Sequence, residues 1–356
     1  MTAQGDDVPI RAPSVWFCGD GCVSGVGSLP FVDPAAAVHF VAEYAPEVPF
    51  WPQLRRKCTR EAMIPQTLGA AFRHVVAVRG EHAYAVPVER VDRLLNALES
   101  GEARFEPGAA AGYFAFVEGL ERGLFARART IKGQVMGPVT VACMLLAEGS
   151  PLLDRPEARA AIGDYIVRLA RWQSEALLRY VPSVLLVLDD AYLGAALRRD
   201  PERRAAIVDL LRSVILRVRR PGVLVGLHCC DQVPLSIIAD LEPDLYSFDA
   251  YHGGGDFAGD ADARRYVVGG GNVAWGWIPT LDDLSGVDAE VIAARWFDSA
   301  RRLVDAGEGV DLDRIRARSL VTASCGLAGS SEATCRRSFE LALEVSRGFA
   351  RRLESA

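Results

Sequence analysis

No apolar stretch of this 356-residue chain approaches the roughly 18 residues that a membrane-spanning helix needs. Signal-peptide features are missing too. Met1–Pro13 carries Asp6, Asp7 and Pro9 around no apolar core, so residues 1–13 read as a loose tail and not as a secretory leader. Cysteine is scarce: eight residues with spacings that do not pair up exclude a disulfide scaffold and point to a reduced, cytoplasmic compartment. Cys18, Cys22, Cys58 and Cys335 read as structural, and Cys143 in Val139–Leu146 as a small buried hydrophobe. An excess of positive charge is also absent, the formal net charge being −6. The arginines fall on helical stretches, some beside acids, as in Asp200–Arg204 and Arg212–Arg220. They read as solvated helix faces and not as a nucleic-acid footprint. Neither an internal repeat nor an interdomain linker is visible. What remains, half hydrophobic and about a quarter charged, is the composition of a globular chain with a large core.

Apolar runs and helical patterns alternate along that chain. The expected strands are a short one in Cys22–Pro30, where it runs into a Gly-rich turn, then Val48–Gln53, Thr130–Met136, Ser183–Leu188, Gly222–Leu227, Asp244–Asp249, Gly271–Trp277 and Arg318–Ala323. Expected helices between them include Pro34–Ala45, capped by Asp33, then Val139–Leu146, Arg159–Tyr180, Pro201–Arg219, Val233–Leu241, Asp288–Ala306 and Ser331–Leu353. Residues 55–126 break the rhythm and read as a helical insertion after the second strand. A doubly wound open sheet also alternates in this way, but eight units with no strand left over favour an α/β fold of the (β/α)8 TIM-barrel type. The chain therefore reads as a single domain over residues 14–356.

In such a barrel the chemistry sits at the C-terminal ends of the strands. Here those ends are Ser28, Gln53, Met136-Gly137, Asp189-Asp190, His228 with Cys230, Asp249, Trp277 and Cys325. Because a strand alternates its faces, His228 and Cys230 point the same way and Cys229 the other. An imidazole and a thiolate on one face make half of a tetrahedral zinc site. Taken singly, a buried His is more often a hydrogen-bonded core residue and a buried Cys inert. The convergence of His228, Cys230, Asp249 and Cys325 from three strands is what argues for a metal.

At these residues the sequence resembles the cobalamin-independent methionine synthase family, within the superfamily shared with uroporphyrinogen decarboxylase. The matching segments are Gly25–Pro30, Lys132–Thr140, Leu188–Leu193, His228-Cys229-Cys230 and Ser324–Leu327, spread from about residue 24 to 347. The resemblance implies a (β/α)8 barrel, zinc held by the His-x-Cys pair and by Cys325, and a thiol substrate activated at the metal's open position. It further implies that Asp189 and Ser28 orient the thiol by its polar end, that Trp277 walls the donor pocket, and that the product is a methylated or alkylated thiol. Two departures stand out. Asp249 replaces the family's third ligand, a Glu, and Gln53 replaces one of two carboxylates that recognise an amine, which puts homocysteine in doubt. The family's extra N-terminal barrel has no counterpart, so a single-barrel core form is expected. Its methyl donor would be a corrinoid protein or methyl-folate and its acceptor a small-molecule thiol, and a homodimer is one open assembly.

Two competitors stay open. A metal-free decarboxylase of the uroporphyrinogen type needs an arginine-rich cleft, for which Arg55 and Arg56 are the nearest candidates. A zinc- or corrinoid-binding module without catalysis would keep the metal and transfer nothing.

Overall fold

The computed structural model describes residues 17, 19–77, 83–199, 203–305 and 310–356; the expected tail 1–13 and Cys18 lie outside them. Seven parallel strands form one curled sheet: β1 (Cys22–Val23), β2 (Ile131–Met136), β3 (Val184–Asp189), β4 (Val223–His228), β5 (Leu245–Phe248), β6 (Asn272–Ile278) and β7 (Ser319–Ala323). Their order is β1-β7-β6-β5-β4-β3-β2, so from β2 to β7 each strand lies beside its successor. The helices Pro156–Leu177, Arg204–Val218, Ala289–Asp305 and Glu332–Glu354 cover the outer face.

The segment expected as a second strand lies between the two edges of this sheet without becoming a regular strand. Phe50 bridges Lys132 in parallel, and Gln53 bridges Ser28. Around these bridges Lys132 N–H donates to the Pro49 carbonyl at 2.8 Å, and Gln53 N–H to the Gly27 carbonyl at 3.0 Å. Pro49 and Pro52 have no N–H to give, which is why a continuous ladder fails here.

The two faces of the sheet differ in chemistry. Toward the outer helices point Val223, Val225 and Leu227, all part of the main core. The concave face carries an apolar layer near the strand starts, comprising Val48, Leu185, Val187, Leu224, Leu245, Ala274 and Leu320. The same alternation puts Lys132 and Gln134 on this face of β2, and above the apolar layer, toward the strand ends, it places Asp189, His228, Ser247 and Thr322. A dry plug below and polar groups above fix where chemistry is available.

Residues 55–126 contain helices at Met63–Leu68, Val91–Ser100 and Ala111–Glu121, with several short 3-10 turns. A second, four-stranded sheet was not expected: Val76–Ala77, Tyr84–Ala85, Leu145–Ala147 and Ser150–Pro151. The helix expected to reach Leu146 stops at Met144, and Leu145–Ala147 enters this sheet. The hairpin that follows turns on Glu148 and Gly149, both at positive φ (52° and 78°), the turn that matches strand twist. No helix among the described residues is long and apolar enough to cross a membrane.

Candidate metal centre

The run Val223–Leu227 makes β4 a buried strand, and its parity delivers His228 to the concave face at the strand end. His228 is 2% exposed, and its Nδ1 lies 2.8 Å from Ser247 Oγ on the neighbouring β5, where the register pairs the two residues. With a proton on Nδ1 held by Ser247, the Nε2 lone pair stays free. Nε2 is buried without a hydrogen-bond partner. Such an atom is costly to bury unless something fills the position in front of it.

Cys230, just past β4, and Cys325, just past β7, are what face it. The ligand atoms of His228, Cys230 and Cys325 all lie within 4.8 Å of one another. A tetrahedral zinc with bonds of about 2.0–2.3 Å holds its ligand atoms about 3.3–3.8 Å apart, so the three need to draw in by about 1–1.5 Å at most. One imidazole nitrogen and two sulfurs are the donors zinc prefers. The residues present therefore fit the metal. Between the two thiols the proton is unevenly placed: the hydrogen bond from Cys230, with His228 beside it acting the same way, holds Cys325 well below the ordinary thiol range, and the contact with Cys325 and burial push Cys230 up.

Asp249 stands apart from this trio. Its Oδ1 accepts from the backbone N–H of His252 at 3.2 Å and caps the helix Ala250–Gly259, while its Oδ2 lies 2.7 Å from His252 Nδ1. Of the four expected ligands the structure clusters three, and it holds Asp249 at the start of the helix. Asp is a preferred N-cap residue, and its short side chain is committed to the helix it starts. It faces a cavity of about 240 Å³ that also touches Cys230, His252, Asp256, Phe248 and Phe257.

Ser28 braces the turn after Cys325. Its carbonyl accepts from Leu327 N–H at 2.9 Å, and a Cβ built on Gly326 would run into Ser28 Oγ. Asp189 and Gln53 line a small cavity of about 20 Å³ together with Gln66, Gln134 and Met136. Burial raises the Asp189 carboxyl; His228 opposes that shift, a Cys325 thiolate adds to it, and Lys132 and Arg55 oppose it. Lys132, fully buried, is pushed down to about 7 by desolvation, with Asp189 pulling the other way. Its Nζ donates to the Val26 carbonyl (2.7 Å) and to Gln134 Oε1 (3.1 Å). Asp190, on the opposite face of β3, accepts from Thr140 N–H and Oγ–H, each at 2.6 Å, and so belongs to the helix start behind it.

Gln53 has a fixed orientation. The Ala109 carbonyl can only accept, so Gln66 turns Nε2 toward it (2.7 Å) and Oε1 toward Gln53 Nε2 (2.7 Å). Gln53 Oε1 is left as an acceptor without a partner among the described residues.

Trp277 is moved away from the site. It is fully buried and stacks on Trp275 (5.8 Å, 9°), with the Arg295 guanidinium over its ring, and a Cβ on Gly254 would collide with it. Both tryptophans share the parity of Val273, which packs outward, so they fill the layer between sheet and helices and wall no donor pocket. Ser247, Lys132 and Gln66 are the functional neighbours that the sequence reading did not single out. Ser247 was findable, being two residues before Asp249 on the same face. Gln66, inside an aperiodic insertion, carried no signal.

No family model matches the chain, and no curated protein matches it. Solved structures with partial likeness exist. A B12-independent methionine synthase from Shewanella sp. W3-18-1, in complex with selenomethionine, is 14% identical, with 68% of each chain covered and a TM-score of 0.48. A glycoside hydrolase family 5 enzyme from Prevotella bryantii B14 is 10% identical over 95% of this chain and 99% of that one, with a TM-score of 0.43. A Bacteroidetes-affiliated cellulase of the same hydrolase family is 10% identical over 95% and 94%, with a TM-score of 0.45. These overlaps assign no family.

Proposed function

We propose that this chain is a zinc-dependent transferase that methylates, or otherwise alkylates, a small thiol, built on a (β/α)8 barrel in which residues 48–53 take the place of the second strand. The observation that carries this reading is the group His228, Cys230 and Cys325, set at the ends of β4 and β7 around a buried, unpartnered Nε2. These three residues would hold the zinc. When bound with a position left open, the metal lowers the pKa of an incoming thiol from its ordinary value of about 8.5, so that the nucleophilic thiolate is present at neutral pH.

The chain's own residues do the rest. Ser247 fixes the imidazole so that Nε2 faces the metal position. Ser28 and Gly326 shape the turn that presents Cys325. Asp189 and the free Gln53 Oε1 offer two acceptors to the polar end of the substrate, one of them uncharged, which supports a thiol whose recognition does not demand two carboxylates. The apolar layer below keeps water from entering from the strand starts. Methylation of the substrate thiol would form the S–C bond as the bond from the methyl carbon to its donor breaks, the donor keeping both electrons of that bond and the thiol giving up its proton. The donor is taken to be a methylcorrinoid, on its own or on a protein, or methyl-folate.

The direct test offers methylcobalamin and a panel of small thiols, following loss of the cobalt–carbon absorbance and the thioether by mass spectrometry. Thioether formed by wild type and lost in Cys325→Ala supports the reading. Zinc-loaded protein that methylates no thiol from either methylcobalamin or methyl-folate leaves only the metal-binding module.

A further inference from the structure

We infer that Gln66, in the insertion, is the positioning residue that turns the Gln53 amide oxygen toward the site, so that the site selects thiols whose polar end is a small hydrogen-bond donor, an amine or a hydroxyl, over thiols ending in a carboxylate. This deepens the proposed function and rests on it.

An amide side chain can face a site with either end, and the two ends select opposite partners: the oxygen accepts and the nitrogen donates. Here the choice is made one residue back from the site. Ala111 N–H donates to Glu61 Oε1 at 2.7 Å and fixes that buried side chain. Gln66 Nε2 donates to the Ala109 carbonyl at 2.7 Å and lies 3.4 Å from Glu61 Oε2. Turning the Gln66 amide over would set its oxygen against a carbonyl that can only accept. Gln66 Oε1 therefore stays turned to Gln53 Nε2, 2.7 Å away, and Gln53 Oε1 is what remains for the site. Gln66 and Gln53 are both buried, so a mismatch in this chain would leave polar atoms unpaired away from water.

The space in front of Gln53 sets the size of what it can meet. Gln53 and Asp189 line a cavity of about 20 Å³ together with Gln66, Gln134 and Thr67. That is room for about one water-sized group. An ammonium or a hydroxyl is a single heavy atom and fits, whereas a carboxylate is larger. The surroundings set the sign. The Gln134 amide is spent at both ends, its Nε2 donating to the Trp51 carbonyl at 2.9 Å and its Oε1 accepting from Lys132 Nζ at 3.1 Å. Thr67 carries a hydroxyl that donates or accepts and so favours neither. Gln53 Oε1 and the Asp189 carboxylate are left, both acceptors. The cavity also flanks the metal centre. Gln53 bridges Ser28, whose Oγ meets the Gly326 position beside Cys325, and Asp189 pairs with His228 across β3 and β4.

Cobalt(II) loaded in place of zinc into the purified full chain reads thiol entry without turnover, through the sulfur-to-cobalt charge-transfer band. Alkanethiols of graded chain length ending in an amine, a hydroxyl or a carboxylate are titrated against it. Amine and hydroxyl ends should bind at least about tenfold tighter than a carboxylate end of equal length. In Gln66→Met the Gln53 nitrogen loses its acceptor and turns to the cavity, where Asp189 accepts from it. Amine ends, which can only donate, should then lose about tenfold relative to hydroxyl ends, which can accept from that nitrogen. A merely structural role for Gln66 would weaken both alike. Gln53→Met deletes the acceptor but keeps Gln66 on Ala109, so amine and hydroxyl ends should both weaken about tenfold; it carries the test should Gln66→Met not fold. Equal affinity for all three ends in wild type overturns the inference. So does an unchanged amine-to-hydroxyl ratio in folded Gln66→Met, or unchanged affinity for both in Gln53→Met. Cobalt-loaded protein whose band responds to no thiol of any kind sinks thiol activation itself, and this inference with it.

Discussion

Replacing Ser247 by Ala removes one atom, Ser247 Oγ, 2.8 Å from His228 Nδ1. Two consequences follow. A buried ring nitrogen loses its partner, at a cost of about 1–3 kcal/mol to folding. The ring also loses the contact that holds Nε2 toward Cys230 and Cys325, and outer partners of this kind typically contribute about 10–100-fold to metal affinity. That range equals about 1.4–2.7 kcal/mol of binding free energy, on the same scale as the cost to folding, so the two must be separated experimentally. Competition against a chromophoric zinc chelator reads the affinity, and thermal melting of the same sample reads the fold. We expect Ser247→Ala to weaken zinc by about 10–100-fold while melting cooperatively, and Ser247→Thr, which keeps an Oγ and suits a strand, to restore most of the affinity. A folded Ser247→Ala protein with wild-type zinc affinity refutes the reasoning, because His228 would then need no orientation or would not bind the metal.

Other outcomes follow from the same geometry. Gly326→Ala should displace the Cys325 turn and lower bound zinc, and adding Ser28→Ala, which deletes the obstructing Oγ, should restore it; zinc stoichiometry of the two variants decides. Trp277→Ala should cost about 3–5 kcal/mol in denaturant unfolding yet leave zinc affinity unchanged in the folded protein, and a selective loss of zinc would return Trp277 to the site. Lys132 carries a pH signature. Its pKa is about 7 in the folded chain against 10.5 when unfolded, so between those values the unfolded state binds more protons and stability should rise with pH. In Lys132→Met that rise should be gone, as measured by urea midpoints across the window; an unchanged slope would place the titration elsewhere.

The long buried strands were legible because each is a near-continuous apolar run, and the alternation within β4 was enough to pair His228 with Cys230 on one face. Cys325 is remote in sequence and joins them only through the neighbour-by-neighbour order of the sheet, so it was readable only once a curled parallel sheet was assumed. Asp249 shows the limit of parity: the face was right, but a helix start competes for the same carboxylate, and the local cap holds it. Trp277 failed for the opposite reason. Its strand-end position drew attention although its parity with Trp275 already pointed it outward. The small four-stranded sheet uses strands of two or three residues, too short for any periodicity, and the Val48–Gln53 segment hides its bridging role behind two prolines.

Zinc content by elemental analysis, on wild type, His228→Ala and Cys325→Ala, tests the central claim most directly. The account predicts about one zinc per chain in wild type and little or none in either variant, with all three folded. Wild-type protein that is metal-free and takes up no zinc on addition would contradict it, and with it the activation of a thiol at this site.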